Sequence, residues 1–301
     1  MKLSATAALN STEDFDKSWT AVFADLVKAR LTALVLLTTF VGFYLGETGS
    51  VNCLLMFHAL SGTALVAAGA AALNQLLERD YDARMRRTAS RPLPSGRLQP
   101  AAVAIFGGVC SVAGLIYLAV AVNPLTSVVG AVTSISYLFI YTPLKRVTWA
   151  NTLVGAIPGA LPPLMGWTAA RNELSGEGWT LFALVAFWQI PHFMAIAWLY
   201  REEYAKAGFI MLPNIDADGS RTAQHAVGNT VALFIVSLCP FLLKMNGQIY
   251  LATAMILGAG YFWCAVRFAR QLTPARARQL FLASIIYLPL LLAAMVCDKV
   301  K

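Results

Sequence analysis

Three oxygen-bearing side chains recur at four-residue intervals near the end of an apolar run: Asn74, Glu78 and Asp82. On a helix this spacing puts all three on one face, each about 6 Å above the last. Two carboxylates and an amide oxygen suit a hard cation, and Mg²⁺ prefers one or two carboxylates plus phosphate oxygens. Arginines follow closely at Arg79, Arg86 and Arg91, and these side chains grip phosphate as bidentate donors. The competing reading is a solvated helix end whose carboxylates pair with arginines. Two features weigh against it. Acidic groups entering a membrane segment cost roughly 2.5–3.5 kcal/mol each and usually mark function. The run leading into them, Ala67-Ala-Gly-Ala-Ala-Ala72, is small enough for a helix or ligand to approach closely.

A second constellation spans Trp188-Gln189-Ile190-Pro191-His192 and Tyr200-Arg201-Glu202-Glu203-Tyr204, with Lys206 beyond. His192, Ile196, Tyr200 and Tyr204 recur every fourth residue, which sets His192 about 12 Å deeper than Tyr200. A neutral imidazole there can ligate a metal or hydrogen-bond an acidic group of a ligand. Alternatively, a neighbouring helix satisfies it and Pro191 only kinks the segment. Lys145 and Arg146 add a basic loop, which on its own is also what a charged cytoplasmic loop looks like. His58 reads as a packing partner and His225 as interfacial.

These residues need elements to hold them. The chain has 301 residues, 58% hydrophobic and 13% charged, with a mean hydropathy of +0.64. A soluble domain carries about 25% charged residues. Nine apolar runs are long enough to span a bilayer: about 30–47, 52–78, 99–122, 124–142, 150–170, 178–200, 224–244, 247–268 and 279–297. They lack period-two alternation, so the fold is expected to be all-α, with nine transmembrane helices around a central cavity. Three prolines and two glycines between Gly155 and Pro163 predict a broken fifth helix. Residues 1–20 are expected to be a flexible cytoplasmic tail and 21–301 a single transmembrane domain. Residues 16–30 could form an amphipathic surface helix.

Nineteen of the 23 Lys and Arg fall on the N-terminal side of this topology, which makes that side cytoplasmic, places the C-terminus outside and opens the cavity to the cytoplasm. The same sorting accounts for the net charge of +8 without nucleic acid, for which no motif exists. Five scattered cysteines form no metal or haem-attachment pattern and read as small packing residues. No P-loop, nucleophile elbow or Ser-His-Asp arrangement is present.

The string from Asn74 to Asp82, followed by Met85-x-Arg87-Thr88 and Arg91-Pro-Leu-Pro, resembles the first aspartate-rich motif of the UbiA-type intramembrane prenyltransferases, and the haem O synthase branch in particular. Glu78 stands where the common pattern has Asp. Tyr200 and Tyr204 stand where other branches have a second Asp-x-x-x-Asp. The resemblance implies transfer of a farnesyl group from farnesyl diphosphate to a vinyl group of haem B, with water addition, giving haem O. It implies Mg²⁺ on Asn74, Glu78 and Asp82, with Glu202 and Glu203 as further candidates. Diphosphate would meet Arg79, Arg86, Arg91, Lys145, Arg146, Arg201 and Lys206. Tyr200 and Tyr204 would join the catalytic set, and haem would meet His192, Trp188 and Gln189. The expected location is a bacterial inner membrane, with a haem-copper oxidase assembly or haem A synthesis partner. The rival readings are an aromatic or quinone-precursor acceptor, or a transporter.

Overall fold

The computed structural model describes residues 18–300. Among them, nine helices are long and apolar enough to cross a membrane. A short helix, α1 (Trp19–Leu26), comes first. The spans are α2 (Ala29–Gly46), α3 (Cys53–Asp82), α4 (Pro100–Ala121), α5 (Pro124–Leu144), α6 (Asn151–Arg171) and α7 (Gly176–Leu199). After the short α8 (Arg201–Ala207) come α9 (Ser220–Leu242), α10 (Gln248–Arg270) and α11 (Pro274–Cys297). The protein is therefore all-α and multi-pass. Residues 1–17 of the expected tail lie outside the described residues, and of the surface helix expected over 16–30 the described residues show Trp19–Leu26.

Helices α2 to α5 pack in sequence on one side, while α7, α9, α10 and α11 pack together on the other. Contact between α2 and α11 closes the ring, and α6 runs through the middle as the most buried span. The outer surface is apolar. On α4, Ile105, Val109, Val112, Ile116 and Val120 form an exposed stripe at helical spacing, as a lipid-facing surface requires.

The fifth span corrects an expectation. Its Pro158, Pro162 and Pro163 sit inside an unbroken helix. Neighbouring helices support a proline-bearing transmembrane helix, so the missing donors need not break it. Small residues bring those neighbours close. A Cβ on Gly42 of α2 would lie 1.9 Å from the Pro163 carbonyl oxygen, and one on Gly166 of α6 would lie 1.9 Å from the Thr39 carbonyl oxygen. The distortion appears instead in α5, where Ser136–Tyr141 form a π-helical turn. Such turns often occur at functional sites, and this one carries Tyr137 and Tyr141.

The five cysteines are unpaired, and Cys53 and Cys297 are exposed rather than packed. His58 bonds the Tyr117 hydroxyl at 2.7 Å, and the His225 ring lies against Trp149.

Candidate functional site

The last turns of α3 bring Glu78 and Asp82 to a cavity of about 390 Å³ between the helices. Asn74, Glu78 and Asp82 are all buried. Each meets a cation from a different part of the chain. Asn74 Oδ1 accepts from Lys28 Nζ at 2.6 Å, and its amide donates to Thr142 Oγ1 at 3.0 Å. Glu78 Oε1 accepts from Lys145 Nζ at 2.7 Å. Asp82 Oδ2 accepts from Arg91 Nη1 at 2.6 Å. Helix periodicity accounts for the stripe, and tertiary structure delivers the cations.

Each cation has its own support. Gln75 donates to the carbonyls of Asp25 and Leu26, tying the end of α1 to α3. The chain then turns through Lys28, which adopts a left-handed conformation at φ 49° and sends its ammonium to Asn74 and the Tyr137 hydroxyl. Arg91 returns to Asp82 because the loop after α3 folds back, with Thr88 Oγ1 donating to the Asp82 carbonyl and Leu93 packing beside Leu26 and Ala72. Lys145 sits where α5 ends, and its carbonyl accepts from the Ile210 amide at 2.8 Å. Asn151 donates to the Ile210 carbonyl, so the α5–α6 loop and the segment after α8 hold one another.

Burial governs the charges of the two lysines. It pulls Lys28 down to about 7, helped by the positive charge of Arg91. Burial also opposes the charge on Lys145, but Tyr141, Glu78 and Tyr137 outweigh it and hold that ammonium above the ordinary lysine range.

The cavity changes character with depth. Lys28, Glu78, Asp82, Arg87, Arg91, Lys145, Tyr137, Tyr141 and Tyr204 mark its polar end. Apolar side chains such as Leu34, Val35, Val66, Met165, Val185 and Leu288 line the remainder. His192, Trp188 and Gln189 lie along one wall. The His192 ring stacks on Trp188 at 5.1 Å and faces Phe281 at 5.1 Å. Gln189 rests against Gly159, where a Cβ would come within 2.0 Å of its Oε1.

The second constellation is bent. The helix breaks at Tyr200, which ends α7 and begins α8. Tyr204 lines the cavity with His192 and Ile196, whereas Tyr200 flanks it. The Arg87 guanidinium sits over both tyrosine rings, 5.7 and 5.9 Å from their centroids, and donates to the Tyr204 hydroxyl at 3.3 Å.

Several residues singled out from the sequence stand elsewhere. Arg79 pairs with Asp80 at 3.0 Å on an exposed face, one helical step around from Glu78. Arg86, Lys206 and Glu202 are exposed and do not line the cavity. Arg146 covers the Tyr81 ring at 3.9 Å and donates to the Leu77 carbonyl. Arg201 covers the Trp198 ring. Glu203 is half-buried outside the cavity lining, and its Oε2 has no hydrogen-bond partner.

Among the described residues, no group of three or more His, Cys, Asp or Glu can hold a metal unaided. Two buried carboxylates on one stripe, with the Asn74 amide oxygen one turn behind them and outside the cavity lining, bordered by Lys28, Arg91 and Lys145, have the chemistry to hold a divalent ion whose remaining ligands come from phosphate oxygens.

The family model described as the UbiA prenyltransferase family matches residues 35–288. The chain is 46% identical over 286 residues to a protoheme IX farnesyltransferase of Solibacter usitatus, covering 92% of this chain and 98% of that protein. It is 44% identical over 287 residues to a protoheme IX farnesyltransferase of Koribacter versatilis, covering 92% and 93%. Its backbone is similar to that of a digeranylgeranylglyceryl phosphate synthase, with a TM-score of 0.79, 16% identity, and coverage of 93% and 98%. It is also similar to a UbiA homologue of Archaeoglobus fulgidus bound to GPP and Mg²⁺, with a TM-score of 0.63, 16% identity, and coverage of 91% and 99%. At such identities the structural likeness concerns the fold.

Proposed function

This chain belongs to the UbiA prenyltransferase family, and on that premise we propose the reaction its cavity performs. The protein transfers the farnesyl group of farnesyl diphosphate to a vinyl group of haem B, with addition of water, giving haem O and diphosphate. The relatives that carry the protoheme IX farnesyltransferase name match it over nearly their whole lengths. The observation that carries the reading is the pair Glu78 and Asp82, buried and cation-matched at the polar end of a mostly apolar cavity, with Asn74 on the same stripe one turn behind them, outside the cavity lining and bonded to Lys28.

In this reading Glu78 and Asp82, with Asn74 one turn behind them, would hold Mg²⁺. When bound, the ion neutralises charge that accumulates on the departing diphosphate. Lys145, Arg91 and Lys28 turn from their α3 partners to phosphate oxygens, and Arg87 approaches from the Tyr204 side. A phosphate beside Lys28 restores the charge that burial opposes. The allylic C–O bond breaks and its electron pair leaves with the diphosphate. Lys28 and Lys145 lie over the Tyr137 and Tyr141 rings at 5.8 and 4.5 Å, and as they turn to phosphate those rings would be left to stabilise the forming cation. The apolar lining holds the prenyl chain and keeps water from capturing the cation too early. The vinyl π electrons make the new C–C bond. Water adds to the resulting carbocation and a proton departs. His192, Trp188 and Gln189 form the wall against which haem B rests.

We place the enzyme in a bacterial inner membrane, with its N-terminus and cavity mouth cytoplasmic and its C-terminus outside. Residues 21–301 act as one prenyltransferase domain. An oxidase-assembly or haem A synthesis partner would receive the apolar product. The test is a detergent assay of the full-length protein with haem B, farnesyl diphosphate and Mg²⁺, read by mass spectrometry. The expected result is haem O plus diphosphate, lost on chelation. Prenylation of an aromatic acid in place of haem B would overturn the assignment.

A further inference from the structure

Behind the wall of the cavity, Ser284 of α11 is fully buried and serves two neighbouring side chains of α7. Its backbone carbonyl accepts from the Trp188 indole at 2.8 Å. Its hydroxyl lies 2.6 Å from His192 Nδ1 and 2.5 Å from the Phe281 carbonyl oxygen. A hydroxyl owns one proton. Two oxygens at 2.5 Å repel unless that proton lies between them, so the Ser284 proton goes to Phe281. Oγ can then only accept from His192, and Nδ1 must carry the imidazole proton. In a neutral ring this leaves Nε2 as a bare lone pair. The structure gives Nε2 no hydrogen-bond partner among the described residues, and His192 lines the cavity. Trp188 on one face and Phe281 on the other fix the ring plane.

We propose that Ser284 is a positioning residue for the haem substrate: it holds His192 in the Nδ1-protonated tautomer, so that Nε2 offers its lone pair to the haem iron. A partner on the far nitrogen is how proteins commonly orient a metal-binding histidine. Together with the Trp188 bond, it couples α11 to the wall where the porphyrin rests. This inference deepens the haem reading and rests on it.

The test has two arms on the full-length protein. In the first, histidine is labelled with ¹⁵N and the ring shifts are read by NMR without haem. The chain has three histidines, and His192→Gln identifies the signal. Wild type should show a protonated Nδ1 and a bare Nε2. Ser284→Ala should give a mixture of tautomers, and Ser284→Thr should restore the wild-type pattern. A protonated Nε2 in wild type would overturn the proposal, whatever the substrate.

The second arm titrates ferric haem B and reads its optical spectrum. Wild type should show an imidazole-ligated iron, His192→Gln should lose that signature, and Ser284→Ala should bind roughly tenfold to a hundredfold more weakly. Haem bound with an unchanged spectrum in His192→Gln would refute iron ligation while leaving haem as substrate. Failure of wild type to bind haem at all would instead remove the functional reading. If Ser284→Ala fails to fold, the wild-type tautomer and the His192→Gln spectrum still decide the matter.

Discussion

Replacing Lys145 with Met should damage both stability and turnover, by separable amounts. Lys145 Nζ lies 2.7 Å from Glu78 Oε1, and the side chains are only 16% and 4% exposed. At an effective dielectric constant of about 20, charges at that distance attract by about 6 kcal/mol. Removing two ions from water costs several kcal/mol each, so the intact pair is close to neutral for folding. The single substitution is different, because it keeps the cost of burying Glu78 and discards its partner. Breaking buried pairs in this way costs about 3–5 kcal/mol. Lys28 and Arg91 also act on Glu78, which points to the lower figure. At roughly 2–4 °C per kcal/mol for larger domains, 3 kcal/mol is a fall in melting temperature of about 6–12 °C. Loss of a preorganised charge at the leaving group should lower kcat about 10²–10³-fold. Melting in detergent and diphosphate release read the two effects. The double variant Lys145→Met/Glu78→Leu should recover most of the stability and none of the activity. A single variant that melts within about 2 °C of wild type and turns over within about twofold would refute the reasoning.

Three further outcomes follow from the same geometry. Asp82→Ala should abolish turnover in a protein that still elutes as a folded species, whereas Arg79→Ala, which removes only an exposed pair with Asp80, should stay within about twofold of wild type in diphosphate release. Gly42→Ala should destabilise by about 1–3 kcal/mol, because its Cβ meets the Pro163 backbone, while Gly108→Ala meets nothing and should leave the melting temperature level or slightly higher. In a cysteine-free background, Ser95→Cys and Gly49→Cys should react with an impermeant maleimide from opposite sides of sealed vesicles, Ser95→Cys from the cytoplasmic side. Labelling of both from one side would break the topology on which the charge sorting rests.

The spans were legible in the sequence to within a few residues, because a bilayer tolerates only long helices with internally paired backbone. The α3 stripe was legible for the same reason. Once residues 74 to 82 are helical, their spacing leaves little freedom, and the periodicity that brings Asn74, Glu78 and Asp82 together also turns Arg79 away. What the sequence obscured depends on contacts between distant segments. Lys28 looked like one more cytoplasmic lysine. Its place at Asn74 comes from the left-handed turn after α1 and from Gln75 clamping the Asp25 and Leu26 carbonyls. Neither leaves a mark in local composition. Tyr200 seemed to continue a four-residue rhythm, but the break at that residue ends α7, and Tyr204 belongs to the separate helix that starts at Arg201. The prolines of α6 suggested a rupture that its packing against α2, α5 and α7 prevents. Tyr137 and Tyr141 enter the cavity through a π-helical turn that no apolar pattern announces.

The cations on the α3 stripe also bear on how the fold tolerates two buried carboxylates. A membrane enzyme cannot leave two carboxylates uncompensated at the end of a span, since the cost would fall on folding. Lys145 and Arg91 meet it directly, and Lys28 reaches the third rung at Asn74, where burial holds it at about 7 and leaves it only partly charged. A prenyl diphosphate brings roughly three negative charges, nearly two of them on its terminal phosphate. Added to Glu78 and Asp82, that makes about five. The three rung-bonded cations and Arg87 supply up to four when Lys28 is fully charged, so one divalent ion is already enough to offset the rest. One Mg²⁺ per diphosphate would therefore suffice at this end of the cavity, and a second would leave it in clear excess. That is consistent with tyrosines, rather than aspartates, at positions 200 and 204. On the proposed reading, the side chains that compensate Glu78 and Asp82 are the ones that would become the anion's partners, so the same charges would serve folding first and chemistry afterwards.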